Sequence, residues 1–107
     1  MPLNDEDTIT ADGTEQTVWD VTTGTKFLMG QIDLQEMQTG DTLVIRRYIK
    51  VRTSSTLAVE WEDTYADAQT DMNIINFPPL SPVSEYKVTL EQTGGTNRDY
   101  DFKLWEA

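Results

Sequence analysis

Hydrophobic and polar residues alternate with a period of two along most of the chain, which is the pattern of half-buried β-strands. The alternation is clearest in residues 43–52, where apolar side chains occupy one face and basic or aromatic side chains the other. Arg47 is the exception, because it is a charged residue on the apolar side. The pattern predicts about seven strands, over residues 14–21, 26–34, 43–52, 57–64, 72–77, 84–92 and 100–105.

Turn-forming residues separate these segments at short intervals. Gly40 with Asp41 and Gly94 with Gly95 are examples of such turn pairs. Many short strands joined by turns predict an all-β fold, an antiparallel β-sandwich of the jelly-roll or Ig-like kind. The proline-rich residues 78–82 predict a rigid, extended connection that crosses between the two sheets.

The first eleven residues differ from the rest of the chain. They contain Asp5, Glu6 and Asp7 and no basic residue. This composition predicts a flexible acidic N-terminal arm over residues 1–11, followed by a single β-sandwich domain over residues 12–107.

Length and charge limit the classes of function. The chain has 107 residues and a mass of 12.2 kDa, which suits one domain with a modest core. Its formal net charge of -11 disfavours direct binding to nucleic acid or to an anionic membrane. No Cys and no His are present, which excludes disulfides, thiolate or imidazole zinc sites and Ser-His or Cys-His relays. We therefore expect a protein that is not an enzyme and has no cofactor.

Half of the eight basic residues lie in the strand predicted over residues 43–52. By strand parity, three of them and one tyrosine share a face, which makes a basic strip of roughly 20 Å. We define the basic strip as Arg46, Tyr48, Lys50 and Arg52 and take it as a candidate partner-binding site.

An alternative explanation of the basic strip is purely structural. Glu60 and Glu62 lie on the matching face of the next predicted strand, where they would neutralise Arg46 or Lys50 as cross-strand pairs. The two explanations predict different surfaces, since a neutralised strip presents little net positive charge.

The aromatic residues offer a second candidate contact. Strand parity directs Trp61 and Tyr100 inward and Trp105 outward. Trp105 is therefore the best candidate for an exposed aromatic contact, such as a surface on which a sugar ring stacks. The alternative is that Trp105 packs over a sheet edge.

Three stretches of the sequence look familiar once the strands are placed. They are residues 12–17, 40–46 and 90–98, which open the first and third predicted strands and run into the closing hairpin. This pattern resembles small β-sandwich virion structural proteins of tailed phages, of the head decoration or cement type. The resemblance implies a non-enzymatic protein that binds the outside of a phage capsid and braces neighbouring capsid subunits.

The resemblance also implies partners and a location. The partners would be the major capsid protein or other virion proteins, and the protein would form a homo-oligomer, a dimer or a trimer. The acidic arm, with Asp5, Glu6 and Asp7, would lie across a neighbouring subunit. The chain would be made in the host cytoplasm, because its start lacks the features of a signal peptide. The alternative function is a carbohydrate- or receptor-binding module of a tail or fibre.

Overall fold

Eight β-strands make up the computed structural model, which describes residues 4–21, 28–52, 54–69, 73–77 and 85–106. No helix in these ranges is long and apolar enough to cross a membrane. The strands are β1 (Asn4–Thr10), β2 (Glu15–Val21), β3 (Leu28–Asp33), β4 (Thr42–Lys50), β5 (Ala58–Ala66), β6 (Ile74–Asn76), β7 (Glu85–Gly94) and β8 (Asp99–Glu106).

The strands form two antiparallel sheets of four. Sheet A has the order β1-β8-β3-β6 and sheet B the order β2-β7-β4-β5. Within these sheets β1 pairs with β8, β2 with β7, β3 with β6 and β4 with β5. This is the pairing of one long hairpin rolled into two layers. The predicted antiparallel β-sandwich is confirmed, and of the two kinds expected the strand order is that of a jelly roll.

The first strand corrects the prediction of a loose N-terminal arm. Residues Asn4–Thr10 form β1, which pairs with β8 along its whole length. Ile9 is the single large apolar residue in this strand, so no alternation marked it in the sequence. Pairing with the β8 backbone and a 2.6 Å hydrogen bond from the Thr8 hydroxyl to Asp101 hold it in place.

The core fills the space between the sheets, and Trp19 lies near its centre. The indole ring packs edge-on against Phe77 at 5.8 Å and beside Phe102 at 5.5 Å. Gly30 leaves room for it, because a β-carbon there would lie 2.7 Å from the indole. The other buried apolar residues are Ala11, Val18, Ile32, Leu34, Met37, Leu43, Val44, Ile45, Tyr86, Val88, Leu90, Tyr100 and Leu104.

A bulge in β2 lets two consecutive residues enter this core. The pairing of β2 with β7 shifts register between Thr17 and Trp19, which makes Val18 an extra residue. Both Val18 and Trp19 are buried, although strict alternation would direct one of them outward.

The predicted crossing near the prolines agrees with the sheet assignment. β6 lies in sheet A and β7 in sheet B, so the segment between them joins the two layers. Residues 78–84 themselves lie outside the described ranges.

Candidate functional site

Arg46, at the centre of the basic strip, is surrounded by carboxylates on the outer face of sheet B. Its guanidinium lies 2.6 Å from Glu62 on β5, 2.9 Å from Glu91 on β7 and 3.5 Å from Glu15 on β2. Hydrogen bonds to Glu91 and Glu62 raise the pKa of Arg46. The cross-strand pair with Glu62 is thus confirmed, and the positive charge of Arg46 is compensated within the sheet.

Two further members of the basic strip also have partners. The Tyr48 hydroxyl donates a 2.6 Å hydrogen bond to Glu15, which raises the pKa of the phenol. The Lys87 ammonium lies 5.8 Å from the centre of the Tyr48 ring, and Lys50 lies 3.3 Å from Glu85. These contacts turn the middle of the strip into an internal network of opposite charges.

Arg52 lies apart from this network. β4 ends at Lys50, and both Val51 and Arg52 are exposed beyond it. Within the described ranges no carboxylate lies at salt-bridge distance from Arg52. Neighbouring strands thus neutralise Arg46 and Lys50, as the structural alternative predicted, although Lys50 pairs with Glu85 of β7 rather than with a carboxylate of β5. Partner binding by the basic strip stays a prediction.

Glu60 pairs with Arg47 rather than with Arg46 or Lys50. The register of β4 against β5 shifts between Arg47 and Tyr48, so Glu60 is an extra residue on β5. A bulge re-aims a side chain, and here it places the Glu60 carboxylate on the guanidinium of Arg47. Burial lowers the pKa of Arg47, but the bonds to Glu60 outweigh this effect and raise it.

The acidic residues predicted as a partner-binding arm lie on the edge strand β1. Glu6 and Asp7 are both exposed there, and Asp7 accepts a 2.8 Å hydrogen bond from the Thr8 amide. Asp5 belongs to the same strand, but its side chain lies outside the described part. The structure thus places these residues on a sheet rather than on a loose arm.

The structure describes the side chains of two of the three aromatic candidates. Tyr100 is fully buried and Trp61 packs on Phe77 at 5.4 Å, as strand parity predicted. Trp105 lies in β8 opposite Asn4, but its side chain is outside the described part of the chain.

The outer face of sheet A carries a feature that the sequence did not reveal. Ile32 and Phe102 pack toward the core, so their neighbours along β3 and β8 point away from it. On that face two adjoining depressions, of about 450 and 190 Å³, share Asp33 and Asp101. We call them together the acidic groove, whose acidic lining residues are Glu6, Asp7, Asp33, Glu36, Asp99 and Asp101. Of these, Asp7 lies opposite Phe102 and so belongs to the core-facing side of β1.

Few positive charges accompany these carboxylates. Lys103 is the one basic residue that lines the acidic groove within the described chain, and Ile74 is an apolar residue at its edge, 41% exposed. In the register of β1 against β8, Lys103 lies opposite Glu6, one of the acidic residues of the groove. Among the described residues that line the groove, acidic side chains therefore outnumber basic ones.

A buried carboxylate organises the loops at one end of the sandwich. Asp41 accepts hydrogen bonds from the Gln38 and Thr96 amides, at 2.9 and 3.0 Å, and from Arg98 Nε at 2.8 Å. Burial raises its pKa, but the bonds to Arg98 and to the two amides outweigh that effect and lower it. The turn at Gly95 has a positive φ of 82° and passes so close to Asp41 that a β-carbon would overlap it.

These observations define the protein as an eight-stranded jelly roll, an architecture found in viral capsid domains, lectin domains and cupins. A similar fold occurs in a chain of the solved structure of infectious bursal disease virus, Gx strain, with a TM-score of 0.53 and 15% sequence identity. The match covers 99% of this chain and 33% of that one, so this chain spans about a third of its length. Neither a protein-family model nor a curated protein sequence matches the chain.

Proposed function

We propose that the chain is a non-enzymatic structural protein of a virus particle, which binds the outside of a capsid as a decoration or cement protein. The observation that carries this proposal is the jelly-roll strand order, since viral capsid domains use this architecture. The similarity of fold to a chain of a virus structure, over 99% of this sequence, also supports a role in a virus particle.

The finer parts of the proposal rest on the resemblance to phage decoration and cement proteins. In this role the partner is the major capsid protein or another virion protein, and the chain acts as a dimer or trimer on the particle surface. Weak contacts repeated on a symmetric lattice combine into strong attachment, because each bound copy raises the effective concentration of the next contact. Bracing of neighbouring capsid subunits requires no catalytic group.

The decisive experiment counts the protein in purified particles. Quantitative mass spectrometry on density-gradient fractions of virus from the source culture gives its ratio to the major capsid subunit. A ratio near that of the capsid lattice supports the decoration or cement role, and a few copies per particle point to a tail or fibre component instead. Absence from particles would overturn the structural role.

A test of the basic strip must avoid Arg46. A carboxylate in its place would face Glu15, Glu62 and Glu91, so loss of attachment would not be separable from loss of folding. Arg52→Glu changes the exposed end of the strip instead. Reduced attachment of this variant to particles, with an unchanged melting temperature, would assign Arg52 to the capsid contact.

The carbohydrate-binding alternative depends on an exposed aromatic ring. Among the aromatic side chains that the structure describes, Tyr48 is the one on an outer sheet face, and Lys87 lies over its ring. Titration of the protein with a glycan panel, monitored by tryptophan fluorescence, tests this alternative. Saturable binding that Trp105→Ala abolishes would favour it over the capsid role.

A further inference from the structure

We propose that β1 is an exchangeable strand, which leaves β8 of its own chain and pairs with β8 of a second copy, so that two copies hold each other by swapped strands. The contacts between β1 and β8 are the same in the exchanged form, because an identical strand makes them. The exchange in solution is independent of the proposed function, and only its use on a virus particle rests on that function.

The first observation is that β1 is attached to a single strand. It lies at the end of sheet A, where β8 is its neighbour along its whole length. The Thr8 hydroxyl donates a 2.6 Å hydrogen bond to the Asp101 carboxylate. The Thr10 hydroxyl donates a bond of the same length to Asp99. A second copy of β1 would form all of these bonds equally well, and exchange of an identical element is a low-cost route to a dimer.

The second observation is that β1 buries little apolar surface. Ile9 is its single large apolar residue and is half-buried, whereas the side chains of residues 6–8 and of Thr10 are exposed. The strand is thus held mainly by its pairing with β8, and elements with few buried apolar contacts are the first to open. When β1 leaves, β8 stays in the sheet through β3 and presents an open edge, which is a template for another strand.

The hinge for the exchange is the turn at residues 12–14, which leads from β1 in sheet A to β2 in sheet B. The Asp12 carboxylate accepts hydrogen bonds from the amide and the hydroxyl of Thr14, at 2.9 and 2.6 Å. These bonds close the turn within one chain. In an exchanged pair the same three residues are extended and span about 10 Å, so the second copy must lie directly beside the first.

Gly13 makes the closed turn sensitive to substitution. Its φ is 85°, a conformation that side chains disfavour, whereas every residue type adopts the extended backbone. An added β-carbon would meet no atom within 4 Å, so backbone conformation alone decides the effect. A substitution at Gly13 therefore destabilises the closed turn and not the exchanged form.

Charge sets the conditions for the exchange. Each copy has a net charge of -11, so two copies repel one another in dilute protein at low ionic strength. Salt screens this repulsion, and a lattice that holds copies side by side raises their effective concentration. We therefore expect closed monomers in dilute protein and exchange in concentrated protein at high salt. On a particle, exchanged strands would fasten neighbouring copies to each other.

A strand of a different protein fits this edge of β8 less well. The two threonines of β1 face the two aspartates of β8 in register, and Glu6 lies opposite Lys103. A foreign strand reproduces the backbone pairing but not this pattern of side chains. The occupant that the structure favours is therefore β1 of a second copy.

The test uses disulfides, because the chain has no cysteine of its own. Two single variants, Thr8→Cys and Asp101→Cys, are mixed at high concentration and high salt, equilibrated under reducing conditions and then oxidised. Positions 8 and 101 lie opposite each other, so a disulfide between the two chains forms when β1 of one pairs with β8 of the other. A mixture of Thr8→Cys with Thr64→Cys measures chance collisions, since Thr64 is exposed on the edge strand β5.

The hinge variant is Gly13→Val, and the matched control is Gly40→Val, each placed in both cysteine chains. Gly40 also has a positive φ, of 93°, and open space around an added β-carbon, but it lies between β3 and β4. We expect Gly13→Val to increase the fraction of dimer linked through positions 8 and 101 about fivefold or more over Gly40→Val and over the unaltered hinge.

Three results would overturn the proposal. With the unaltered hinge, a link between positions 8 and 101 that is no more frequent than chance collision would do so, and this measurement does not depend on the folding of Gly13→Val. Equal dimer fractions in the two valine variants would show that strain anywhere in the loops causes association. Dimers that lack the link would have a different interface.

A second arm separates this inference from the proposed function. Purified particles that carry the chain with both Thr8→Cys and Asp101→Cys are oxidised and analysed without reduction. Covalently linked copies support exchange on the particle, whereas disulfides within single chains alone overturn it there while the structural role stands. If the protein is absent from particles but the link forms in solution, the structural role fails and the exchange stands.

Discussion

Two hydrogen bonds, of 2.6 and 3.0 Å, join the guanidinium of Arg47 to the carboxylate of Glu60 on the core side of sheet B. Arg47 is only 2% exposed and its guanidinium also lies 6.0 Å from the centre of the Tyr86 ring. A charge in such a place is stable only when a partner is built in. The bulge at Glu60 supplies that partner.

Glu60→Ala should therefore destabilise the fold. Loss of one partner of a fully buried pair costs about 3–5 kcal/mol. Because the Glu60 side chain is 32% exposed, we expect a loss of about 2–3 kcal/mol in the free energy of unfolding. Glu62→Ala is the control, since Arg46 keeps two other carboxylates, and it should cost about 0–1 kcal/mol. Equal costs in urea denaturation would contradict the structural role of the bulge.

Gly30→Ala should destabilise the protein by overpacking. A β-carbon at this position would lie 2.7 Å from the Trp19 ring, in a well-packed core where overpacking costs about 1–3 kcal/mol. At Gly94 the nearest atom to an added β-carbon is the Thr42 hydroxyl at 3.4 Å, so Gly94→Ala is the matched control. Thermal denaturation should show a clear loss for the first variant and little for the second.

Acid should weaken the fold partly through Asp41. Its pKa lies below the usual 3.8 in the folded state, so the stability it contributes is present above pH 3.8 and is lost as the pH falls through the folded pKa. Glu15 behaves in the same way from its usual value of 4.5, because bonds from Thr89 and Tyr48 lower its pKa.

The comparison of wild type with Asp41→Asn isolates this effect. The variant should be less stable at neutral pH, because the charged bond to Arg98 is lost. The difference in free energy of unfolding between the two proteins should shrink as the pH falls below about 3.8. A difference that stays constant down to pH 2, a value well below the usual range of an Asp, would refute this explanation.

The edge strand β5 should become prone to self-association when Asp63 is replaced. Its carboxylate accepts a 2.9 Å hydrogen bond from the Thr64 amide, and Asp7 does the same for Thr8 on the edge strand β1. An amide bonded in this way is less available to another strand. Asp63→Ala should increase light scattering at high concentration. Asp63→Asn, which is as neutral as the Ala variant but keeps an acceptor oxygen for the Thr64 amide, should not.

The interior strands were predictable because each buries one face, which imposes the alternation. β1 was not, because it is an edge strand with Ile9 as its single large apolar residue. Its place depends on backbone pairing with β8, at the far end of the sequence. Arg47 was visible as an exception, but the bulge that brings Glu60 to it was not.

The surroundings of Arg46 were predictable only where the partner strand is also the next strand in the sequence. The alternation of side chains along the two strands correctly placed Arg46 on the same face as Glu62, which lies opposite it on the neighbouring strand. It could not reveal that Glu15 and Glu91 flank the same guanidinium, because the fold brings those strands together from distant parts of the chain. The acidic groove has the same origin, since its carboxylates come from β1, β3, β8 and the loop after β3.

The rolled pairing of strands also implies an order of assembly. The hydrogen bond between Thr8 and Asp101 joins residues 93 positions apart, and closing so long a loop costs the most entropy unless inner strands pair first. We expect folding to proceed outward from the β4–β5 hairpin, with slower amide exchange in β4 than in β1. Because β1 supplies Glu6 and Asp7 to the acidic groove, that surface exists only on completed chains. The acidic groove is therefore a marker of the completely folded state and is absent from nascent or partly unfolded molecules.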